Sequence, residues 1–535
     1  MPIDINLLRV ERGGDPEKIR ESERRRFNAE AGLVDKVISL DREWCKLVGD
    51  VDSKKKEKND LNKQVGKLKK AKEDASELMA KSKALSGEIV EMEKRLAAAR
   101  EELDKYLPQI GNIVHDSVPV SNDEHADNEI VNKWGEFRTA PESGDFEYQS
   151  HAQLLWRIGG YEPERGVSTA GHRAYYLTGP GVMLNQSLIS YALGYLNKRG
   201  YTAIQPPYFM NKNVMAGVAQ LSQFDEELYK VTGDGEEKYL IATSEQPICA
   251  FHQGDWISPK KLPIKYAGMS TCFRKEAGKH GKDTWGIFRV HQFDKIEQFC
   301  ITSPDDDESW KMHEEMRQIA EDYLQSLGLP YQVVNIVSGE LNNAAAKKYD
   351  IEAWFPAYKE CKELVSCSNC LDYQSRAVET RFGNKQKGKE KKYVHMLNST
   401  LCALTRTICC ILENYQTKDG VVVPEALRPL MGTDFLPFVR KAKENVQEKK
   451  MMKSAARKKR QAMEKAKKSS KKAPAAPSAQ DVAKAKALVE AAAGDLAAAT
   501  AAQGEAVRKL KSEKADKAAV GAAVGLLIAL KSLKL

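Results

Sequence analysis

No window of this 535-residue chain holds the roughly 18 or more consecutive apolar residues of a membrane-spanning helix. The most apolar late stretch, Val520–Leu530, is too short. The first residues lack an apolar signal core. Asp4, Glu11, Asp15 and Glu17 argue against an acid-poor transit peptide, so the expectation is a cytoplasmic protein with no membrane partner. Two nucleotide signatures are also missing: the Gly-rich G-x-x-x-x-G-K-[ST] loop, and a glycine fingerprint following a strand. A nucleotide bound here must be held by strand-borne arginines and carboxylates. Cysteine is too sparse for a disulfide framework, at ten in a long chain. Cys367 and Cys370 make one C-x-x-C, with Cys361 upstream, but no second C-x-x-C or H-x-x-x-H completes a zinc set, and reduced structural thiols are expected.

Positive charge is in excess, at +9, which suits a polyanionic partner. After a small N-terminal cap interrupted by Gly13, Gly14 and Pro16, a heptad stripe begins: Leu33, Val37, Leu40, Trp44, Leu47, Val51, Leu61, Val65 and Leu68, with Lys54 and Lys58 on the same stripe. A second stripe runs through Leu78, Ser82, Leu85, Ile89, Met92, Leu96, Ala99 and Leu103. Two such helices, joined by the charged Lys69–Asp74 turn, make an antiparallel coiled-coil arm. At about 40 residues each they would reach on the order of 60 Å. Dimerisation is one reading of the arm. The other is nucleic-acid contact through Lys54–Lys56, Lys58, Lys63, Lys67, Lys69, Lys70 and Lys72, and periodicity alone does not choose. Pro108 ends the second helix, Asn112–Pro119 reads as an extended crossing, and an acidic linker follows to about Asn128.

From Trp134 to about Phe438 the composition is globular. Ser187–Arg199 reads as a helix, Gly200 as its punctuation, and Tyr201–Pro207 as a strand ending in prolines. Two strand-like runs, Lys265–Phe273 and Ile287–Phe299, flank a Gly- and Lys-rich loop and predict a long-looped hairpin. With arginines at both ends of its loop and acids among its strand residues, it suits a substrate bearing phosphates and a cationic amine. Two further clusters are Thr243-Ser-Glu245 and Glu363-Leu-Val-Ser366, the latter followed by Asn398-Ser-Thr400 and Arg406. The Lys/Ala/Ser-rich 441–480 reads as a solvated linker, and the basic, alanine-rich 481–535 as a helical hairpin.

Phe273-Arg-Lys-Glu276, Arg289-Val-His-Gln-Phe-Asp-Lys295, Glu363-Leu-Val-Ser-Cys-Ser-Asn369 and His395-Met-Leu-Asn398 together resemble the seryl-tRNA synthetases, class II aminoacyl-tRNA synthetases. The resemblance covers the arm, the crossing and the body to about Phe438. It implies an α+β fold, with an antiparallel class II catalytic sheet among helices, a coiled-coil arm and a C-terminal helical hairpin. The implied domains are a tRNA-binding domain at 1–128 (arm about 33–106), a catalytic domain at 129–440, a linker at 441–480 and a C-terminal domain at 481–535.

The implied reaction joins serine to ATP as seryl-adenylate, then to the 3′ end of tRNA(Ser); the resemblance leaves acceptance of tRNA(Sec) open. Arg274 would bridge the α-phosphate and the serine carboxylate, where a planar fork binds both oxyanions. Lys275 and Glu276 would join it around ATP, with Glu276 facing the adenine amino group. Val290, His291, Gln292 and Phe293 would line the adenine pocket, Phe293 stacking on the ring, with Arg406 opposite and near the γ-phosphate. Glu363, Leu364, Val365 and Ser366 would complete the ATP site, Glu363 and Ser366 offering hard oxygens to Mg²⁺. Thr243, Arg274, Glu297, Asn398 and Thr400 would hold serine. Arg274, Glu276 and Arg406 would carry the catalytic charge stabilisation. Neither His280 nor His291 is needed as a base, because a carboxylate nucleophile is already deprotonated at neutral pH. The same likeness implies a homodimer through Gly200–Pro207. Thr500–Asp516 resembles a WHEP domain, an RNA- or protein-binding appendage. The alternative is an inactive paralogue acting as an RNA- or protein-binding module, but such copies lose phosphate and metal ligands first, and here those residues are present.

Overall fold

The computed structural model describes residues 3–28, 32–219, 227–233, 235–276, 285–385, 391–443, 479–492, 496–512 and 517–532. The Gly278–Gly286 loop with His280, all but its last two residues, lies outside them, as does the 441–480 linker apart from its ends. The chain divides into two compact units, Met1–Ala442 and Lys443–Leu535.

The first unit opens with a short helix α1 (Pro16–Arg25), whose N-cap Asp15 accepts from the Glu17 and Lys18 amides. The arm follows as α2 (Leu33–Ala71) and α3 (Ser76–Tyr106). Lys72, at φ +60, closes the first helix in the left-handed conformation, and Asp74 receives the Ser76 amide at the start of the second. Along the predicted stripe Leu33, Val37, Leu47, Val51, Leu85, Ile89 and Leu103 are buried. Where the stripe turns polar, ion pairs cross the arm: Lys54 to Glu88 at 3.3 Å and Lys55 to Glu93 at 2.8 Å.

Eight strands form the main sheet: β1 (Glu129–Trp134), β2 (Thr202–Ile204), β3 (Ile264–Phe273), β4 (Gln292–Thr302), β5 (Tyr331–Asn335), β6 (Lys347–Phe355), β7 (Glu360–Asn369) and β8 (His395–Ala403). Their order is β1-β5-β6-β7-β8-β4-β3-β2. All pairings are antiparallel except β2 on β3, which is parallel, so the expected antiparallel sheet has one parallel edge. The predicted strand Tyr201–Pro207 shrinks to the three residues of β2, since Pro206 and Pro207 have no N–H for the ladder. The return strand of the hairpin starts at Gln292 rather than Ile287. Ile287, Phe288 and Val290 are all buried in turns, and adjacent residues of a strand cannot share one buried face.

Helices α4 (His151–Arg157), α5 (Pro180–Asn197), α6 (Glu245–Phe251), α7 (Glu308–Ser326) and α8 (Leu404–Asn414) surround this sheet. The main core joins them to it through Leu154, Leu188, Ile296, Tyr323, Ile351, Leu401 and Ile408. Cys367 lies in this core, and burial pushes its thiol up to about 12.

Arg26, just past α1, is 5% exposed and bonds only to backbone carbonyls among its hydrogen-bond partners. It donates to Asn112 O at 2.7 Å, Asn342 O at 3.1 Å and Ala345 O at 2.6 Å, tying the crossing segment to the loop before β6. Asn112 grips the same loop through its side chain, at 2.9 Å to Ala344 O. Gly111 makes room for this clamp, since a Cβ there would stand 2.6 Å from Arg26 Nε.

In the second unit α9 (Ala479–Ala491), α10 (Leu496–Ser512) and α11 (Lys517–Ser532) share a small core of Ala485, Val489, Ala499, Ala529 and Leu530. The expected hairpin is α10 and α11, and α9 is a further helix packed on it. The extra helix packs largely through alanine, which gives little hydrophobic periodicity to read.

Gly111→Ala should lower the stability of the intact chain by about 1–3 kcal/mol in urea denaturation, through overpacking against Arg26. An unchanged midpoint would mean that the clamp yields to a methyl group.

Candidate active site

Two β-bulges shape the working face of the sheet. In β6–β7, Ile351 faces Val365 while Glu352 faces Glu363, leaving Leu364 as the extra residue. Residues three apart on a regular strand point to opposite faces, yet Glu363 and Ser366 line one cavity because the bulge resets the alternation. In β4–β8, Leu401 is the extra residue between Thr400, opposite Glu297, and Cys402, opposite Ile296. Asn398, Thr400 and Ala403 then share a wall. Phe293, Lys295 and Glu297 reach the same cavity by ordinary alternation along β4. The first turn of α8 adds Thr405 and Arg406, and the segment entering α6 adds Thr243 and Glu245. The cavity measures about 220 Å³.

One end is a buried polar cluster. Lys295 and Glu297 are 6% and 2% exposed and form an ion pair. Thr243 links them: its hydroxyl donates to Glu297 Oε2 at 2.9 Å and accepts from Lys295 Nζ at 2.8 Å. Behind it, Glu245 Oε1 accepts from Asn398 Nδ2 at 3.0 Å and from Gln374 Nε2 at 2.6 Å. Burial, and then the charge of Glu297, raise the Glu245 carboxyl to about 7.

The other end is rich in guanidinium groups. Arg274 follows β3 with its group 5.3 Å from the Phe293 ring centre, and its Nε donates to Ala242 O at 3.3 Å. Arg289 pairs with Glu276 at 2.8 Å. Glu276 sits at φ +50, a strained value for this residue and one that concentrates at functional sites. Arg406 donates to the Glu363 carboxylate at 3.1 Å and to its carbonyl at 2.9 Å, and lies 4.9 Å from the Phe288 ring centre. Desolvation draws the Glu363 carboxyl upward, but Arg406, Lys348 and Arg274 outweigh it and hold the group below its usual range.

Among the sequence-predicted residues, Thr243, Arg274, Glu276, Val290, Phe293, Glu297, Glu363, Leu364, Ser366, Asn398, Thr400 and Arg406 meet at this cavity. Lys275, His291, Gln292 and Val365 do not line it. Lys275 turns its amide to Glu227 O, His291 Nδ1 lies 2.9 Å from Arg274 O, Gln292 is an exposed residue paired with Phe273, and Val365 is core. Gln292 and Val365 sit on strands beside Phe293 and Ser366, which do line the wall, whereas Lys275 and His291 lie just beyond the ends of β3 and β4. Sequence reasoning missed Glu245, Phe288, Arg289, Lys295, Asn342, Ser368, Ala403 and Thr405 as lining residues. Lys295 was readable, two residues before Glu297 on a strand; Asn342 carries no local signal.

Mostly antiparallel strands bearing these carboxylates, with arginines just past β3, before β4 and at the start of α8, define a class II aminoacyl-tRNA synthetase core. Residues 229–415 match the tRNA synthetase class II core domain (G, H, P, S and T), residues 3–114 the seryl-tRNA synthetase N-terminal domain, and residues 496–533 the WHEP-TRS domain. The cytoplasmic serine–tRNA ligase of Arabidopsis thaliana is 56% identical over 456 residues, 85% of this chain and 100% of its own length. That of Saccharomyces cerevisiae is 52% identical over 83% of this chain and 97% of its own. The crystal structure of the cytoplasmic serine–tRNA ligase of Naegleria fowleri with AMP superposes with a TM-score of 0.75 at 48% identity, covering 82% of this chain and 99% of that one. The Pyrococcus horikoshii seryl-tRNA synthetase complexed with ATP gives 0.74 at 38% identity, over 82% of this chain and 100% of that one. This chain belongs to the seryl-tRNA synthetase family.

Glu245→Gln should flatten part of the pH dependence of stability. A carboxyl raised from 4.5 to about 7 on folding favours the native state at low pH, and that advantage is lost as pH rises between those values. In urea denaturation the variant should gain on the parent from pH 5 to pH 8 by up to about 3 kcal/mol. A constant difference would show that Glu245 is ionised at both values.

Proposed function

We propose that the chain is a serine–tRNA ligase that activates serine with ATP and passes the seryl group to the 3′ end of tRNA(Ser). What carries the reading is one cavity that joins a buried Thr243–Lys295–Glu297 cluster to a ring of guanidinium groups. On this reading the buried polar end takes the amine and hydroxyl, and the guanidinium-rich end takes the phosphates. The serine ammonium fits Thr243 and Glu297, and the hydroxyl fits Glu297, Asn398 and Thr400. A buried polar pocket built this way disfavours alanine, which would leave its hydrogen-bonding groups unpaired, by about 10⁴.

Arg274 bridges the serine carboxylate and the ATP α-phosphate and neutralises charge as the two come together. Phe293 stacks on the adenine, Glu276 accepts from its surroundings, and Arg289 and Arg406 face the outer phosphates. The terminal ribose hydroxyl of tRNA then attacks the activated carbonyl. No step calls for a basic side chain to deprotonate the serine carboxylate.

Among the described residues no three His, Cys, Asp or Glu side chains form a closed metal site. Glu363 and Ser366 nevertheless fit Mg²⁺: they are hard oxygen donors on one face, and Asp350, opposite Ser366 in the register, has a buried Oδ1 with no hydrogen-bond partner. Two protein oxygens leave room for phosphate oxygens, and Mg²⁺ bound there would shield the charge of the phosphate chain.

The arm carries tRNA rather than a dimer contact. Lys56, Lys67, Lys69, Lys70 and Lys72 are exposed along its distal half, suited to phosphate contacts without base readout. The protein acts as a homodimer through the region around β2. It works in the cytoplasm, as the names of its relatives state for those proteins. The three-helix C-terminal unit binds RNA or a protein partner. An inactive paralogue is disfavoured, because Arg274, Glu276, Glu297, Glu363, Ser366 and Arg406 are all in place.

Serine-dependent exchange of pyrophosphate into ATP tests the reading; purified protein with Mg²⁺ showing none would overturn it. Arg274→Ala should lower exchange by at least about 10³-fold while tRNA affinity stays within about twofold. Parallel loss of both would contradict the role of Arg274. Replacing residues 33–106 by a short linker should spare exchange and abolish tRNA charging, and charging at the parental rate would remove the arm from tRNA binding.

A further inference from the structure

Behind the guanidinium-rich wall lies a buried ionic pair that the reaction itself does not use. His151 opens α4 and Glu413 closes α8; their side chains are 1% and 0% exposed. Glu413 Oε1 accepts from the His151 amide at 3.0 Å and lies 2.9 Å from its Nδ1, while Oε2 accepts from the Ala357 amide at 3.1 Å. On the far side of the ring, Nε2 lies 3.2 Å from the carbonyl oxygen of Trp285. Each ring nitrogen therefore faces an acceptor, which calls for a proton on both and a charged imidazolium balanced by Glu413. Burial opposes that charge, but Cys409 and Glu413 outweigh it and hold the histidine well above its ordinary pKa.

The next residue is Gly286, at φ +58, lying directly on the imidazole: a Cβ there would stand 2.8 Å from His151 Cδ2. Both the backbone angle and the ring thus require glycine. From this seat the chain runs through Ile287 into Phe288, Arg289 and Val290, all of which line the cavity. Phe288 packs 6.2 Å from the His151 ring and carries the Arg406 guanidinium on its other contacts, and Arg289 holds Glu276. The serine-facing cluster is held by other bonds, among Thr243, Lys295, Glu297, Glu245 and Asn398.

We propose that His151 and Glu413 are positioning residues for the nucleotide half of the cavity: the pair seats Trp285–Gly286 and so sets Phe288 and Arg289 against Arg406 and Glu276. Glu413 lies seven residues after Arg406 on α8, so the pair also ties the returning segment to the helix that presents that arginine. The proposal deepens the ligase reading and rests on it. It locates control of ATP binding in two side chains that touch no substrate.

The experiment uses the full chain with His151→Gln, Glu413→Gln and Gly286→Ala. In serine-dependent pyrophosphate exchange, each should raise KM for ATP by about ten- to a hundredfold while KM for serine stays within about twofold. The His151→Gln/Glu413→Gln double variant should be no worse than its more severe single, because the pair acts as one unit. A KM for serine rising in parallel with that for ATP, or an unchanged KM for ATP, would overturn the proposal. Gly286→Ala displaces the seat while leaving both side chains of the buried pair chemically intact, so it decides the matter if the other variants fail to fold. ATP affinity by equilibrium dialysis, on parent and variants, separates the two levels. A parent without exchange activity removes the ligase reading, whereas variants binding ATP as tightly as the parent remove the positioning role.

Discussion

A carboxylate as deep as Glu297 must be matched, and most of the cavity follows from how that is done. At 2% exposure its charge is stable only with a cation and hydrogen bonds at hand. Lys295 supplies the cation because residues two apart on a strand share a face, and Thr243 bridges the two. Burial, and then the charge of Glu297, raise the neighbouring Glu245 carboxyl to about 7. One strand thus holds a buried carboxylate–ammonium pair, with the raised carboxyl of Glu245 beside it at one end of the cavity.

The sheet gives this cluster its counterpart through irregularity rather than regularity. Without the extra residue Leu364, Glu363 would point away from Ser366 and from Arg406. Without Leu401, Ala403 and the start of α8 would leave the face that carries Thr400 and Asn398. The arm's root closes the frame from another direction, as Arg26 and Asn112 bind the loop whose Asn342 lines the cavity. The N-terminal domain is therefore part of the frame of the catalytic cavity as well as the bearer of an arm.

Much of this was legible beforehand. The two heptad stripes marked both arm helices, because coiled-coil burial repeats along the chain. The clusters around Arg274, Glu297, Glu363 and Arg406 were found as clusters, and they meet in space. The misses have separate causes. Lys275, His291, Gln292 and Val365 came with the family motifs as unbroken runs, and an unbroken run does not turn every side chain to one cavity. Ile287 was placed in a strand because it is apolar, whereas it is buried in a turn that His151 anchors. The third C-terminal helix went unread because an alanine-rich interface has almost no pattern.

By itself the sequence determined the local matters: where helices repeat, where prolines end them, and which side chains carry charge, since these depend on neighbours a few residues apart. Only the tertiary structure decided which of those charges face one another. Register, two bulges and one parallel edge strand bring together residues from Thr243 to Arg406, more than 160 positions apart. Long-range pairing also put His151 beneath Trp285 and Arg26 beneath Asn342, contacts for which no stretch of chain holds both partners. Burial raised the Glu245 carboxyl, whereas Cys409 and Glu413 outweighed burial at His151, because the free energy of a charge depends on what surrounds it, not on what precedes it.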